Sequence, residues 1–193
     1  MTKDRLLALG IETSCDDTAC AVVDSDGRVL STAVSSQLAA HRPYGGVVPE
    51  IASREHLRNW PPVSEAALEE AGVSLEDIDV VAATRGPGLI GSLLVGLSIG
   101  KAIAYSLGKK FQAMHHLEGH LYSPFLGVGG VEAETPPASF LGLVVSGGHT
   151  SLFQVDQGST LSLAETRDDA MGEVFDKVGK RLGLAYPQGP RVD

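Results

Sequence analysis

The sequence predicts an α/β protein made of two duplicated domains, the second incomplete in this chain, and three observations carry that expectation. Short β-rich runs alternate with helical stretches after an opening meander. The order strand, polar turn, strand, Asp/Gly turn, strand, helix occurs twice. The second occurrence stops after its first helix. Strands alternating with helices imply a mainly parallel sheet covered on both faces.

Leu6–Glu12, Thr18–Asp24 and Val29–Val34 read as strands of an antiparallel meander, with Asp24-Ser25-Asp26-Gly27 a hairpin signal between the last two. After a loop holding Tyr44-Gly45-Gly46, Pro49 opens a helix to about Asn59; Pro61-Pro62 interrupts it, and Val63–Ala71 resumes the pattern as a second helix. Ile78–Thr84 is an apolar strand and Gly86-Pro87-Gly88 a turn. Leu89–Leu107 carries small and aliphatic residues on nearly every side, as a buried helix would. Phe111–His115 is a short strand that leads into a helix from about His116 to Phe125. The Gly-, Glu- and Pro-rich stretch that follows lacks an apolar period. It sets a first domain at 1–126, a linker at 127–137 and the start of a second domain at 138–193. There Gly142–Val145, Ser151–Val155 and Thr160–Ala164 are strands, followed by a helix from about Asp169 to Leu182. By the size of the first copy, the chain is expected to be the front part of a protein longer by roughly 130 to 150 residues.

With 193 residues, 43% hydrophobic and 20% charged, the chain can bury a core and is neither a disordered segment nor a disulfide scaffold. No uninterrupted apolar run reaches the roughly 20 residues of a membrane span. The run after Met1-Thr2-Lys3-Asp4-Arg5 is too short for a signal peptide, so a cytoplasmic protein with no membrane partner is expected. Cys15 and Cys20 match no zinc or redox spacing and read as reduced buried thiols. A net charge of −9 disfavours unaided binding of nucleic acid, so an RNA partner would require help from other chains.

Two polar hairpins, Thr13 to Thr18 and Ser146 to Thr150, open the duplicated halves; each is an anion-binding turn of backbone N–H groups and hydroxyls, or a plain hairpin. His116 and His120, four apart, stack on one helix face and suit a divalent ion, with solvated helix histidines as the alternative. Leu117 follows His116 and Glu118 lies at the wrong offset for a zinc protease. Asp169, Glu173 and Asp176 share a face that binds ribose hydroxyls or a hydrated cation, or else complements the helix dipole. Tyr186-Pro187-Gln188-Gly189-Pro190 is a ligand-closing turn or a plain loop, and Gly86-Pro87-Gly88 serves packing or a site.

Together, Gly10-Ile11-Glu12-Thr13-Ser14-Cys15-Asp16-Asp17-Thr18, Tyr44-Gly45-Gly46-Val47-Val48-Pro49-Glu50, Gly86-Pro87-Gly88-Leu89, His115-His116-Leu117-Glu118-Gly119-His120, Val144-Val145-Ser146-Gly147-Gly148-His149-Thr150 and Phe175-Asp176-Lys177 resemble the TsaD family of tRNA threonylcarbamoyltransferases, formerly called Gcp. The resemblance runs in order along essentially the whole chain and is of bacterial type. It implies the actin-like, Hsp70 ATPase fold of two ribonuclease-H-like domains. It also implies a metal-dependent acyltransferase that moves threonylcarbamoyl from threonylcarbamoyl-AMP to N6 of the adenosine 3′ of the anticodon, in tRNAs reading codons that start with A. His116 and His120 match the metal ligands, for iron first, with zinc or magnesium as alternatives. Val144, Val145, Ser146, Gly147, Gly148, Asp176 and Gly189 match substrate-binding positions, while Gln188 stands where the family commonly has Gly. No residue is identified as the catalytic base. TsaB and TsaE are the implied partners, with about Pro49 to Ala71 as the TsaB contact. An actin-like kinase or ATPase and a catalytically silent partner subunit are the alternative readings. The paired histidines speak against the silent partner, and no catalytic Asp is identifiable for the kinase.

Overall fold

Burial in the first two strands follows the period-2 rule. In β1 (Leu7–Glu12) and β2 (Asp17–Asp24), Leu9, Ile11, Thr18, Cys20 and Val22 point into a core while their neighbours do not. The structure is a computed structural model describing residues 5–185 and 188–192. The chain divides into two units, Met1–Thr135 and Pro136–Asp193.

In the first unit β1 and β2 are followed by β3 (Val29–Ser36), the short α1 (Leu38–His41), α2 (Pro49–Ala71), β4 (Val80–Gly86), α3 (Ile90–Leu107), β5 (Lys110–His115) and α4 (His116–Tyr122). The sheet order is β3-β2-β1-β4-β5. β1, β2 and β3 pair antiparallel, while β4 and β5 add in parallel to β1. The sheet is therefore mixed rather than mainly parallel. Tight turns join the first three strands and force reversal, and only the crossovers through α2 and α3 deliver parallel neighbours.

One sheet face forms the core: Leu9, Ile11, Cys20, Val22, Val81 and Ala83 pack with Val63 and Ala67 of α2 and Ala104 of α3. The opposite face is not covered in the same way among the described residues. Its small side chains, with Met114 and Gly119, line an apolar concavity of about 260 Å³.

Two expectations about helices are corrected. Pro61 and Pro62 do not break the first helical region, for α2 runs unbroken across both. Their rings and the residues four positions earlier, Leu57 and Arg58, are exposed, so water can take the carbonyls that lose their N–H partners. The buried stripe Ala52, His56, Val63, Ala67 keeps its phase through the prolines, and packing on β2 and β3 outweighs the local penalty. Nor is α3 buried on every side. Ser92, Leu93, Gly96, Gly100 and Ala104 face the sheet, whereas Ile90, Leu94 and Tyr105 are exposed. By length and composition α3 is apolar enough to cross a membrane, yet Gly100 sits against the sheet as in a core helix: a Cβ there would lie 3.0 Å from the Phe111 ring.

The second unit repeats the meander with β6 (Ser139–Val145), β7 (Thr150–Asp156) and β8 (Ser159–Glu165), antiparallel in that order, then α5 (Met171–Arg181) and α6 (Gly189–Val192). The division at Thr135 falls inside the expected linker, but most of that stretch is not free. Gly127 bridges to Arg28, Val29 N–H donates to the Gly127 carbonyl at 2.9 Å, and Glu134 N–H donates to the Phe125 carbonyl at 2.9 Å.

Candidate functional site

Parallel strands end side by side, and their C-terminal ends gather the polar groups of the first unit. β1 ends at Glu12, β4 carries Thr84, and β5 hands the chain to α4 at His116. The helical spacing then places His120 over His116, with Nε2 atoms 3.2 Å apart and rings edge-on at 4.6 Å between centroids. Glu12 Oε2 lies 3.2 Å from His116 Nδ1 and accepts the Thr84 hydroxyl at 2.6 Å, while Glu12 Oε1 accepts the Ser14 N–H. Ser14 Oγ is 3.3 Å from the same Nδ1. Burial alone would raise the Glu12 carboxyl; hydrogen bonds from His116, Ser14 and Thr84 outweigh it and bring the group down to about 2. An ionised carboxylate can only accept, so His116 donates Nδ1–H to it and turns its Nε2 lone pair toward His120.

The Nε2 atoms are at hydrogen-bond distance from one another, and the same approach would let both reach one divalent ion. Two imidazole nitrogens each about 2.0–2.1 Å from a shared ion, and 3.2 Å from one another, subtend about 100°, between octahedral and tetrahedral. A carboxylate on the far ring nitrogen, the position Glu12 takes on His116, is a partner that metal-bound histidines commonly have. Among the described residues no group of three His, Cys, Asp or Glu side chains completes a site. Ser14 belongs to the polar hairpin expected from the sequence, though it faces His116 rather than an anion, whereas Glu12 and Thr84 were not singled out as site residues; their available signal is a polar residue at the end of an otherwise apolar strand.

The first hairpin does not present its hydroxyls to an anion. Thr13 is buried, donating to the Ser92 carbonyl at 2.8 Å and accepting Gly96 N–H at 3.2 Å. Ser14 is buried against His116, and Leu89 N–H donates to its carbonyl at 2.8 Å. The Gly86-Pro87-Gly88 turn makes this approach possible, since a Cβ on Gly88 would sit 2.5 Å from the Ser14 carbonyl oxygen. Cys15 and Cys20 are free thiols; Cys20 is buried, which pushes it up to about 12, whereas Cys15 is exposed rather than buried.

In the second unit the β6–β7 turn closes with Ser146 N–H donating to the His149 carbonyl at 2.8 Å and His149 N–H to Ser146 Oγ at 3.0 Å. The start of α5 lies on this turn because Gly172 has no Cβ; one would meet Gly147 Cα at 2.8 Å. Val145, Ser146, Gly147 and Gly189 line a concavity of about 480 Å³ together with Met171, Gly172 and Phe175, which sequence reasoning left out. Asp176 Oδ1 accepts Gly189 N–H at 2.7 Å and fixes that residue at the rim. Val144 is buried and Gly148 does not line the concavity, so these two do not join the others.

The expected acidic face is not formed. α5 begins at Met171, leaving Asp169 in the preceding turn. Lys177 pairs with Asp169 at 2.5 Å and Glu173 at 3.1 Å, while Asp176 is spent on Gly189. Of the expected closing turn, Tyr186 and Pro187 lie outside the described residues.

A family model described as TsaD, tRNA N6-adenosine threonylcarbamoyltransferase, matches residues 28–193. The chain belongs to this family. Curated TsaD relatives carrying the same name include those of Pelobacter propionicus, 57% identical over 190 residues, and Syntrophobacter fumaroxidans, 55% identical over 189; each alignment covers 97% of this chain and 54% of the relative. The chain thus spans about half the length of the curated relatives it matches. Among solved structures, YeaZ from Pseudomonas aeruginosa has a TM-score of 0.50 at 20% identity, covering 83% of this chain and 66% of that one. A ROK family glucokinase from Streptomyces griseus has a TM-score of 0.50 at 12% identity, covering 86% and 49%. These likenesses show the fold, which is the actin-like α/β type. In this TsaD chain Gln188 is buried against α5, and Gly179 leaves it room: a Cβ there would lie 2.6 Å from Gln188 Cβ.

Proposed function

We propose that this chain carries the front part of a tRNA N6-adenosine threonylcarbamoyltransferase, a cytoplasmic acyltransferase using threonylcarbamoyl-AMP. The observation that carries the reading is the convergence of the His116 and His120 Nε2 atoms, 3.2 Å apart, with Glu12 and Ser14 behind His116. In the reaction, adenine N6 forms a bond to the carbamoyl carbon while the bond from that carbon to the AMP phosphate oxygen breaks. The bonding pair leaves with AMP, and one N6 proton passes to solvent or to the departing phosphate. The acyl donor is already activated, so positioning and charge stabilisation supply most of the acceleration.

His116 and His120 would hold a divalent metal, iron first and zinc or magnesium as alternatives, which supplies Lewis-acid polarisation and an anchor for the threonylcarbamoyl group. Glu12 keeps His116 in one tautomer. Within the second unit, the turn with Ser146 and Gly147, under the start of α5, would offer backbone N–H groups to substrate, Gly148 belongs to the same turn, and Gly189, held by Asp176, borders it.

TsaB and TsaE are the proposed partners. The α2/α3 side suits TsaB: Gly91 of α3 faces Ser53 of α2, and the exposed Leu57, Ile90 and Leu94 flank that contact. Help from partners also answers the acidic net charge of −9 in binding tRNA. The test is threonylcarbamoyl transfer to tRNA by the full-length protein with TsaB and TsaE. His116→Ala and His120→Ala should each lower the rate by about two orders of magnitude. Unchanged rates in both would refute the metal role.

A further inference from the structure

His41 and His56 are fully buried, lie outside the site just described, and are joined through Gln37. The direction of this network is set by a backbone donor. Val48 N–H donates to His41 Nδ1 at 3.2 Å, so His41 must donate from Nε2, to Gln37 Oε1 at 3.1 Å. That orients the Gln37 amide nitrogen to donate to the Ala52 carbonyl at 3.3 Å and to His56 Nδ1 at 3.2 Å. The Thr18 hydroxyl also donates to His56 Nδ1, at 2.7 Å. With Nδ1 occupied as an acceptor, His56 donates from Nε2 to the Cys15 carbonyl at 3.0 Å.

The chain of bonds starts in the Tyr44-Gly45-Gly46 loop region at Val48 and ends on the turn that sets Ser14 against His116. Other contacts hold that turn too: Leu89 N–H on the Ser14 carbonyl, Gln37 N–H on the Asp16 carbonyl, and Ser92 Oγ 3.5 Å from the Cys15 carbonyl. His56 supplies the hold from α2. An apolar core would fill this space without the cost of orienting two imidazoles and an amide, so the direction of the network asks for a use.

We infer that His56 is a positioning residue for the proposed transfer reaction, setting the Cys15 peptide and through Ser14 the ring of His116, while Gln37 and His41 hold His56 in the donating tautomer. The inference rests on the reading of His116 given above. Nitrogen NMR of histidine-labelled, metal-free full-length protein reads the His116 ring directly, and a Co²⁺ titration reads its consequence. His56→Asn, too short to reach the Cys15 carbonyl, should move the His116 nitrogen signals and weaken Co²⁺ binding about 10-fold. His56→Gln, whose amide nitrogen falls where Nε2 stood, should leave both as in the wild type.

His116 signals unmoved in a folded His56→Asn protein would overturn the inference, as would equal movement in both variants. Should His56→Asn fail to fold, His56→Gln and Thr18→Val decide, since each keeps the Cys15 carbonyl held; movement in either overturns it. A wild type that neither binds Co²⁺ nor transfers threonylcarbamoyl would instead sink the functional reading, and the ring-nitrogen comparison would still decide this one.

Discussion

At the scale of single residues, the first unit depends on atoms that are missing as much as on those present. A Cβ on Gly96 would fall 2.4 Å from Thr13 Oγ1, which is anchored to the Ser92 carbonyl and cannot withdraw without breaking that bond. Gly96→Ala is therefore expected to destabilise the fold by about 1–3 kcal/mol despite its better helix propensity, read as a lowered midpoint in urea. A rise in stability would mean that Thr13 yields freely. Glu12→Gln keeps shape and removes the charge that faces His116 Nδ1, so metal affinity should fall by about 10-fold or more in a chelator competition. Unchanged affinity would remove Glu12 from the site. Such details were illegible in the sequence because they depend on which strand ends meet. Glu12 with Ser14, Thr84 and His116 lie on three separate stretches of the chain and become neighbours only through the parallel pairing of β1, β4 and β5.

At the scale of elements, α2 shows packing overriding a local rule, and its buried His56 gives it a pH signature. Burial lowers the His56 pKa from 6.5, against raising contributions from the Cys15 carbonyl, Glu12, Asp16 and Asp17. The unfolded chain then binds more protons than the folded one below about 6.5, so this group leaves stability unaffected above that pH and lowers it as the pH falls from there toward the folded value. Thermal melts should show the loss setting in as the pH falls below about 6.5, and His56→Gln should flatten that part of the curve. An identical slope in the variant would assign the loss elsewhere. On α3, Leu94→Arg alters an exposed position, so the melt should move by no more than about 0.5 kcal/mol while binding of TsaB weakens. A variant that binds TsaB as the wild type does would remove this face from the proposed interface. Strands and hairpins were readable from alternation and from Asp24-Ser25-Asp26-Gly27; the continuity of α2 was not, because exposure of the two prolines is a tertiary fact.

At the scale of the whole molecule, the duplication was legible because the same turn chemistry precedes the same strand order twice, and both meanders are antiparallel. The mixed pairing of the first sheet was less so, since parallel and antiparallel partners share one apolar vocabulary. In the second unit Leu141, Leu143, Leu161 and Leu163 are exposed, more apolar surface than a small sheet leaves to water by chance. The 193-residue chain should accordingly bind an apolar dye more strongly than the full-length protein, and equal fluorescence would contradict this. The central claim is that His116 and His120 hold one divalent ion through their Nε2 atoms. X-ray absorption on the metal-loaded full-length protein tests it most directly. Two imidazole nitrogens at about 2.0–2.1 Å, lost in the doubly substituted His116→Ala, His120→Ala protein, are the predicted result; a first shell without imidazole, or one unchanged by the double substitution, would contradict it.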